Sequence, residues 1–113
     1  MSKEIKMTYL GAIRKIKKDW GKYPHEIKDK NEAVWIVSSD NSESYEVDEE
    51  WIGMKGDGTL VWAYASACSC WDGDYESKPV STIKSFEFNH KEMEAGWKKA
   101  IIKFAETSEC VKI

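Results

Sequence analysis

Across residues 4–20 the apolar side chains Ile5, Tyr9, Ile13, Ile16 and Trp20 recur at helical spacing with lysines between them. This pattern predicts a basic amphipathic helix with one apolar stripe. Gly21 reads as its C-cap, and the Tyr23-Pro24 pair prevents continuation. Ala33–Ser38 (AVWIVS) is short, β-branched and apolar, as expected of a strand buried on both faces. Residues 43–52 alternate, with Tyr45, Val47 and Trp51 on one side and Ser44, Glu46, Asp48 and Glu50 on the other. Only Glu49 breaks the phase, so this strand is expected to be wet on its acidic face and to lie at an edge or on an uncovered surface. Gly56-Asp57-Gly58 supplies the turn into the next strand.

Along residues 59–68 (TLVWAYASAC) the odd positions Val61, Ala63, Ala65 and Ala67 form a small, smooth row. Leu60, Trp62, Tyr64, Ser66 and Cys68 form the bulky opposite row. An alanine row predicts a helix lying close across the strand, leaving Trp62 and Tyr64 on the other side. Residues 69–79 read as a loop around Asp72-Gly73-Asp74, and Val80–Phe88 as a returning strand. Asn89 with Glu92 three residues on has a capping-box pattern. It opens a second helix over 90–106 with the buried stripe Met93, Trp97, Ala100, Ile101 and Phe104. The expected fold is therefore α+β, an antiparallel sheet of about four strands with an N-terminal and a C-terminal amphipathic helix, in a single domain over 1–113.

With 113 residues, 42% hydrophobic and 33% charged, the chain suits one globular core and is too apolar for a disordered segment. Six Trp and five Tyr against three Phe add a surplus of rings with polar tips, which favour half-buried faces and interfaces. The net charge of −3 hides a segregation. Residues 3–22 hold seven Lys or Arg against two acids, and residues 40–57 hold seven acids against one Lys. The acidic balance argues against a nucleic-acid partner. No stretch has the length and apolarity of a membrane span, and three cysteines fit reduced thiols, so a cytoplasmic protein is expected.

The segment Tyr64–Glu76 is the one local cluster with chemical potential. Cys68, Cys70 and Cys110 with His25 or His90 would offer zinc three sulfurs and a nitrogen, but the C-x-C spacing lacks a second pair. Asp72, Asp74 and Glu76 echo calcium-loop spacing without the turn Gly or the distant bidentate Glu. A thiol nucleophile at Cys68 or Cys70 would need His90 or His25 as base and Asp72 or Asp74 to orient it. The simplest account is a turn, covered by Trp71 and built on Asp-Gly-Asp. No phosphate loop, dinucleotide fingerprint, G-x-S-x-G or H-E-x-x-H is present.

The run Ser66–Ser77 (SACSCWDGDYES) resembles a segment of small uncharacterised phage and mobile-element proteins, which carry a G/A-S-C-S-x-C-D-like string followed by Trp or Glu. The likeness covers 12 of 113 residues and departs from that pattern in its C-x-C spacing. It implies a phage-type accessory protein that binds a host component, as an inhibitor would, and it carries over no catalytic residue. The expected function is binding of a host protein or a small nucleotide-like ligand through Trp62, Tyr64, Trp71, Asp72 and Asp74. No cofactor or resident metal is expected, and a homodimer or higher homo-oligomer is. The alternative is a metal-binding or thiol-dependent enzyme centred on Cys68–Asp74.

Overall fold

A computed structural model describes residues 6–24, 26–27, 32–68, 76–79, 88 and 90–113, with 67–68 and 76–79 as backbone alone. Helix α1 (Tyr9–Asp19) starts later than the stripe predicts, because Thr8 caps it and its side-chain oxygen accepts from Gly11 N at 3.0 Å. Gly21 is not the cap: the helix tightens into a 3₁₀ turn over Trp20–Lys22 before leaving through extended Tyr23. Ala12 and Ile16 are the buried positions of α1. Trp20 Nε1 donates to the Met54 carbonyl at 2.9 Å, and Lys15 Nζ to the Ala105 carbonyl at 2.8 Å, tying the helix to the sheet and to the second helix.

Four strands follow: β1 (Ala33–Asp40), β2 (Glu46–Lys55), β3 (Leu60–Cys68) and β4 (Glu76–Pro79). Helix α2 (Lys91–Thr107) and a two-residue strand β5 (Val111–Lys112) complete the elements among the described residues. The sheet order is β4-β3-β2-β1-β5. The first four strands pair antiparallel, whereas β5 returns parallel to β1, so the sheet is mixed and not purely antiparallel. β1 is buried along both faces, as its composition requires. β4 lies in the stretch read as loop, and Pro79 is tolerated there because, among the described residues, only β3 pairs with it. The strand expected over Val80–Phe88 lies outside the described residues except for Phe88. The β2–β3 turn uses Gly58 at φ +90°, and Asp57 Oδ1 accepts from Thr59 N at 2.9 Å.

Both helices cover one face of the sheet. Val34, Ile36, Val37, Ile52, Met54 and Trp62 pack there against Ala12, Ile16 and Tyr23 from the N-terminal side. From α2, Met93, Trp97, Ala100, Ile101, Phe104 and Ala105 enter the same core, and the whole predicted stripe is buried. Burying a large apolar side chain of this kind stabilises by about 1.5–3 kcal/mol. A bulge between Trp35 and Val37 lets Ile36 and Val37 both enter the core. The α2 cap falls on His90, one residue after the expected Asn89, which lies outside the described residues. Ser108 closes the helix in the left-handed region, its N–H donating to the Phe104 carbonyl at 2.6 Å.

Two expectations about faces are overturned. The helices lie on the bulky row of β3, not on the alanine row. The small residues instead share the opposite face with indole rings: Trp35 lies over Gly53, where an added Cβ would sit 2.8 Å from Trp35 Cε3, and Trp51 pairs with Ala63. Small neighbours make room for rings laid across a sheet. Likewise β2 is not an edge, and its acidic side is wet only over its first residues, where Glu46 is exposed and Asp48 half-buried. It lies between β1 and β3, and Glu50 is 0% exposed. Ile52 and Met54 follow Glu50 at two-residue steps and are also fully buried, so the strand's apolar second half carries Glu50 inward.

Candidate functional site

Two polar features stand out, one inside the core and one on the sheet face opposite the helices. The first is built where the first half of β2 meets the start of α2. Glu50 Oε2 accepts from Trp62 Nε1 at 2.9 Å, and Glu50 Oε1 accepts from the His90 backbone N at 2.6 Å. The carboxylate thus sits at the N-terminus of α2, where the helix dipole favours negative charge. The His90 ring reaches back over the sheet. Its Nδ1 lies 3.2 Å from Ser39 Oγ and 3.4 Å from Glu50 Oε1. Its Nε2 lies 3.0 Å from Asp48 Oδ1, close but without the alignment of a hydrogen bond. One imidazole therefore joins β1, β2 and α2.

This arrangement holds structure together more readily than it does chemistry. His90 is 5% exposed and both ring nitrogens already face oxygen, so no side of it is left for a substrate or a thiol. Its two nitrogens point to different carboxylates and cannot converge with both on one metal ion. Among the described residues no group of His, Cys, Asp and Glu could hold a metal. Cys110 sits beside β5 and Cys68 on β3, three strands away across the sheet, about 14 Å at ordinary strand spacing. The three-sulfur zinc site is therefore contradicted for that pair. Cys110 is half-buried, and burial pushes its thiol up from the ordinary cysteine range, against a smaller lowering by a hydrogen bond with Ser38.

The expected ligand residues separate. Trp62 is 5% exposed, in the helix-facing core, and serves Glu50 as a donor, which corrects its placement on a binding platform. Tyr64 is half-buried beside it, the rings stacked at 4.9 Å between centroids and 26° between planes. Stacked on each other, they leave no slot for a base between them. Trp71, Asp72 and Asp74 lie outside the described residues, as do Cys70 and His25.

The sheet face opposite the helices offers another place. Trp35 and Trp51 meet edge to face there, with centroids 5.8 Å apart, and both are half-buried. Beside Trp51 runs a groove of about 270 Å³ lined by Ser38, Asp40, Glu49, Trp51, Lys112 and Ile113. The pairings Ser38 with Trp51, Asp40 with Glu49 and Ser38 with Lys112 put all of these strand residues on one face. A second concavity is lined by Ser42–Glu46 at the β1–β2 connection, where Tyr45 is 78% exposed. Asp40 is fixed there: Ser42 N donates to its Oδ1 at 2.8 Å. That bond and a hydrogen bond from the Ser42 side chain hold its carboxyl below the usual carboxylate range, with Lys112 adding a smaller effect. Sequence reasoning placed Trp35 and Trp51 on strands and left both out of the expected site. The two-residue period of β2, carried past Glu49 to Gly53, was the signal that puts Trp51 on the opposite face from the helices.

No helix among the described residues is long and apolar enough to cross a membrane. No protein-family model matches the chain, and no curated protein or solved structure matches it either.

Proposed function

We propose that the protein acts by binding another protein rather than by catalysis, and that the contact surface is the sheet face opposite the helices. The observation that carries this reading is the half-buried Trp35–Trp51 pair beside the Asp40–Glu49–Lys112 groove. Interfaces favour large rings with polar tips at a partly desolvated centre and a polar rim, and this face has both. The groove is smaller than the roughly 300–1,000 Å³ of a site that engulfs a small molecule, so a protuberant side chain suits it better than a nucleotide-like ligand. The likeness of Ser66–Ser77 to phage and mobile-element proteins supports an accessory role directed at a host component.

The test compares tagged wild-type protein with Trp51→Ala and Leu10→Ala in lysate of the cells that produce it. Leu10 is 64% exposed on α1, away from the sheet, and serves as the control position. The reading expects one partner retained by wild type and Leu10→Ala and lost by Trp51→Ala, with unchanged far-UV circular dichroism. Retention by a folded Trp51→Ala protein would remove this face from the site.

A further inference from the structure

The outer face of α1 is basic and unpaired. Arg14, Lys17 and Lys18 are exposed there, while Ala12 and Ile16 turn into the core. The helix has one acid, Asp19, and it is already taken by Lys15 at 3.5 Å and Lys22 at 3.7 Å. Arg14 and Lys18 are one turn apart on the same face and make no ion pair among the described residues. The connection between β1 and β2 is its opposite in charge. Residues 40–46 hold Asp40, Glu43 and Glu46 and no base. Glu43 and Glu46 are bridged through the backbone, each N–H donating to the other's carbonyl, at 3.0 and 3.1 Å, which sets their side chains on one face. Behind them Asn41 N donates to the Asp48 carbonyl at 2.8 Å and Asp48 N to Ser42 Oγ at 2.9 Å. The tip is therefore preformed, with two exposed carboxylates and the exposed Tyr45 ring held together, and neither Glu43 nor Glu46 has an ion pair among the described residues.

These surfaces stand at opposite ends of β2. Trp20 binds the Met54 carbonyl and Lys17 lies along Gly58, which puts Lys17 and Lys18 beside the C-terminal end of the strand. The tip leads into Glu46 at its start, about 27 Å from Met54 at the ordinary rise per residue. A tip so placed cannot fold onto the helix of its own chain. We infer that the protein associates head to tail with a second copy of itself, the Glu43–Glu46 tip of one chain seated on the outer face of α1 of the next. Tyr45 then lies against the Arg14 guanidinium, adding a cation–π contact to the ion pairs. A second copy is the occupant because one chain carries both halves of the match, each exposed and each built before contact. Exposed pairs are individually weak and screened by salt, so the association belongs to high concentration and low ionic strength. Tip and helix are different surfaces, so each pairing leaves one of each open, and assembly grows into rings or open chains instead of stopping at a dimer. The inference uses neither Trp35 nor Trp51 and stands apart from the sheet-face reading above.

The experiment is sedimentation velocity of the full-length protein, at concentrations up to about 1 mM, where contacts this weak become measurable. In about 0.02 M salt the sedimentation coefficient should rise with concentration past that of a dimer, and it should fall back toward the monomer in about 0.2 M salt. Two double variants each neutralise one surface, Arg14→Gln with Lys18→Gln and Glu43→Gln with Glu46→Gln, and circular dichroism checks that both fold. Alone, each should sediment as a monomer. Mixed in equal amounts they should form a complex that stops at one copy of each, since a single intact tip meets a single intact helix. Tyr45→Ala should weaken the wild-type association about two- to fivefold. A monomer across the whole range, a plateau at the dimer, association indifferent to salt or to either variant, or variants that fail to combine would each overturn the inference. So would a monomeric protein that binds a DNA duplex or a phosphatidylglycerol vesicle and loses it in Arg14→Gln with Lys18→Gln, which would give the α1 face to that partner instead.

Discussion

Glu50→Gln is the most informative single change in the core. The native carboxylate offers an oxygen to each of two donors, Trp62 Nε1 at 2.9 Å and the His90 backbone N at 2.6 Å. Glutamine is nearly isosteric but presents one oxygen and one NH₂. Whichever way the amide turns, one donor meets another donor. The cost combines one lost charge-assisted bond, about 1.5–3 kcal/mol, with a buried donor left unsatisfied, about 1–3 kcal/mol. Because the amide relaxes between the two, we expect a loss of about 3 kcal/mol, large against the 5–15 kcal/mol that a domain of this size has in total.

The assay is urea unfolding followed by tryptophan fluorescence and circular dichroism together, with Trp62→Phe completing a double-mutant cycle. In Trp62→Phe the indole donor is gone, so glutamine can turn its oxygen to the His90 N–H. The penalty of Glu50→Gln should therefore shrink by about 1–2 kcal/mol in that background. In heat the single variant should melt about 10–15 °C lower. A loss below about 0.5 kcal/mol, or strict additivity with Trp62→Phe, would refute the claim that one buried carboxylate holds both donors.

Gly53→Ala should destabilise by about 1–3 kcal/mol, because the new Cβ meets the Val34 carbonyl at 2.9 Å as well as the Trp35 ring; an unchanged denaturation midpoint would show that the indole moves aside freely. Gly58→Ala should cost about 1 kcal/mol through its positive φ alone, the nearest neighbour being the flexible Lys17 chain, and Gly58→Asn should recover part of it in thermal melts. Burial, then Asp19, raises the Tyr23 hydroxyl above its ordinary range, so the folded protein keeps that proton more tightly than the unfolded chain. Its stabilising contribution is complete below the ordinary tyrosine range and lost as pH rises through the folded value. Tyr23→Phe should flatten that alkaline loss in unfolding curves at pH 9–11, with no loss at neutral pH, since the hydroxyl is buried without a hydrogen-bond partner among the described residues. Cys110, raised by burial, should alkylate with iodoacetamide at pH 8 more slowly than a free cysteine peptide, and an equal rate would show the thiol to be open.

Where a residue's role depends on local chain physics, the sequence pattern was enough to see it. The stripe Met93, Trp97, Ala100, Ile101 and Phe104 needs only helical periodicity and a covered face, and all five are buried. The Gly56–Gly58 turn needs only a residue that accepts positive φ. Roles decided by pairing across the chain were not visible. β5 is two residues long, and its meaning comes from lying beside β1, about seventy positions earlier. Trp62 looked like a platform because alternation assigns two faces without saying which face the helices choose. His90 entered only as a possible metal ligand or base, since nothing near it in sequence announces Ser39, Asp48 or Glu50. Glu50 alone left a local trace: its phase with Ile52 and Met54 points inward, and a carboxylate on an apolar phase implies waiting donors.

That phase also explains how one strand can carry both features without confusing them. Along β2 the even positions Asp48, Glu50, Ile52 and Met54 face the helices, and the odd positions Val47, Glu49, Trp51 and Gly53 face the other way. Adjacent residues thus answer to different constraints: Glu50 to the donors of Trp62 and His90, and Trp51 to whatever occupies the groove. A substitution at Trp51 can alter recognition while Glu50 still anchors α2, whereas a one-residue slip of β2 would put Trp51 in the core and Glu50 in the groove. The His90–Glu50 latch opposes such a slip from one side, by joining β2 to the start of α2 and to Ser39 of β1. Trp35 over Gly53 opposes it from the other, since any other β2 residue at that point brings a Cβ into the ring. The groove's geometry therefore depends on a buried polar contact it never touches. Its carboxylate rim should lose definition in Glu50→Gln before the fold itself is lost, as broadening of the Trp51 indole and the 40–49 amides would report.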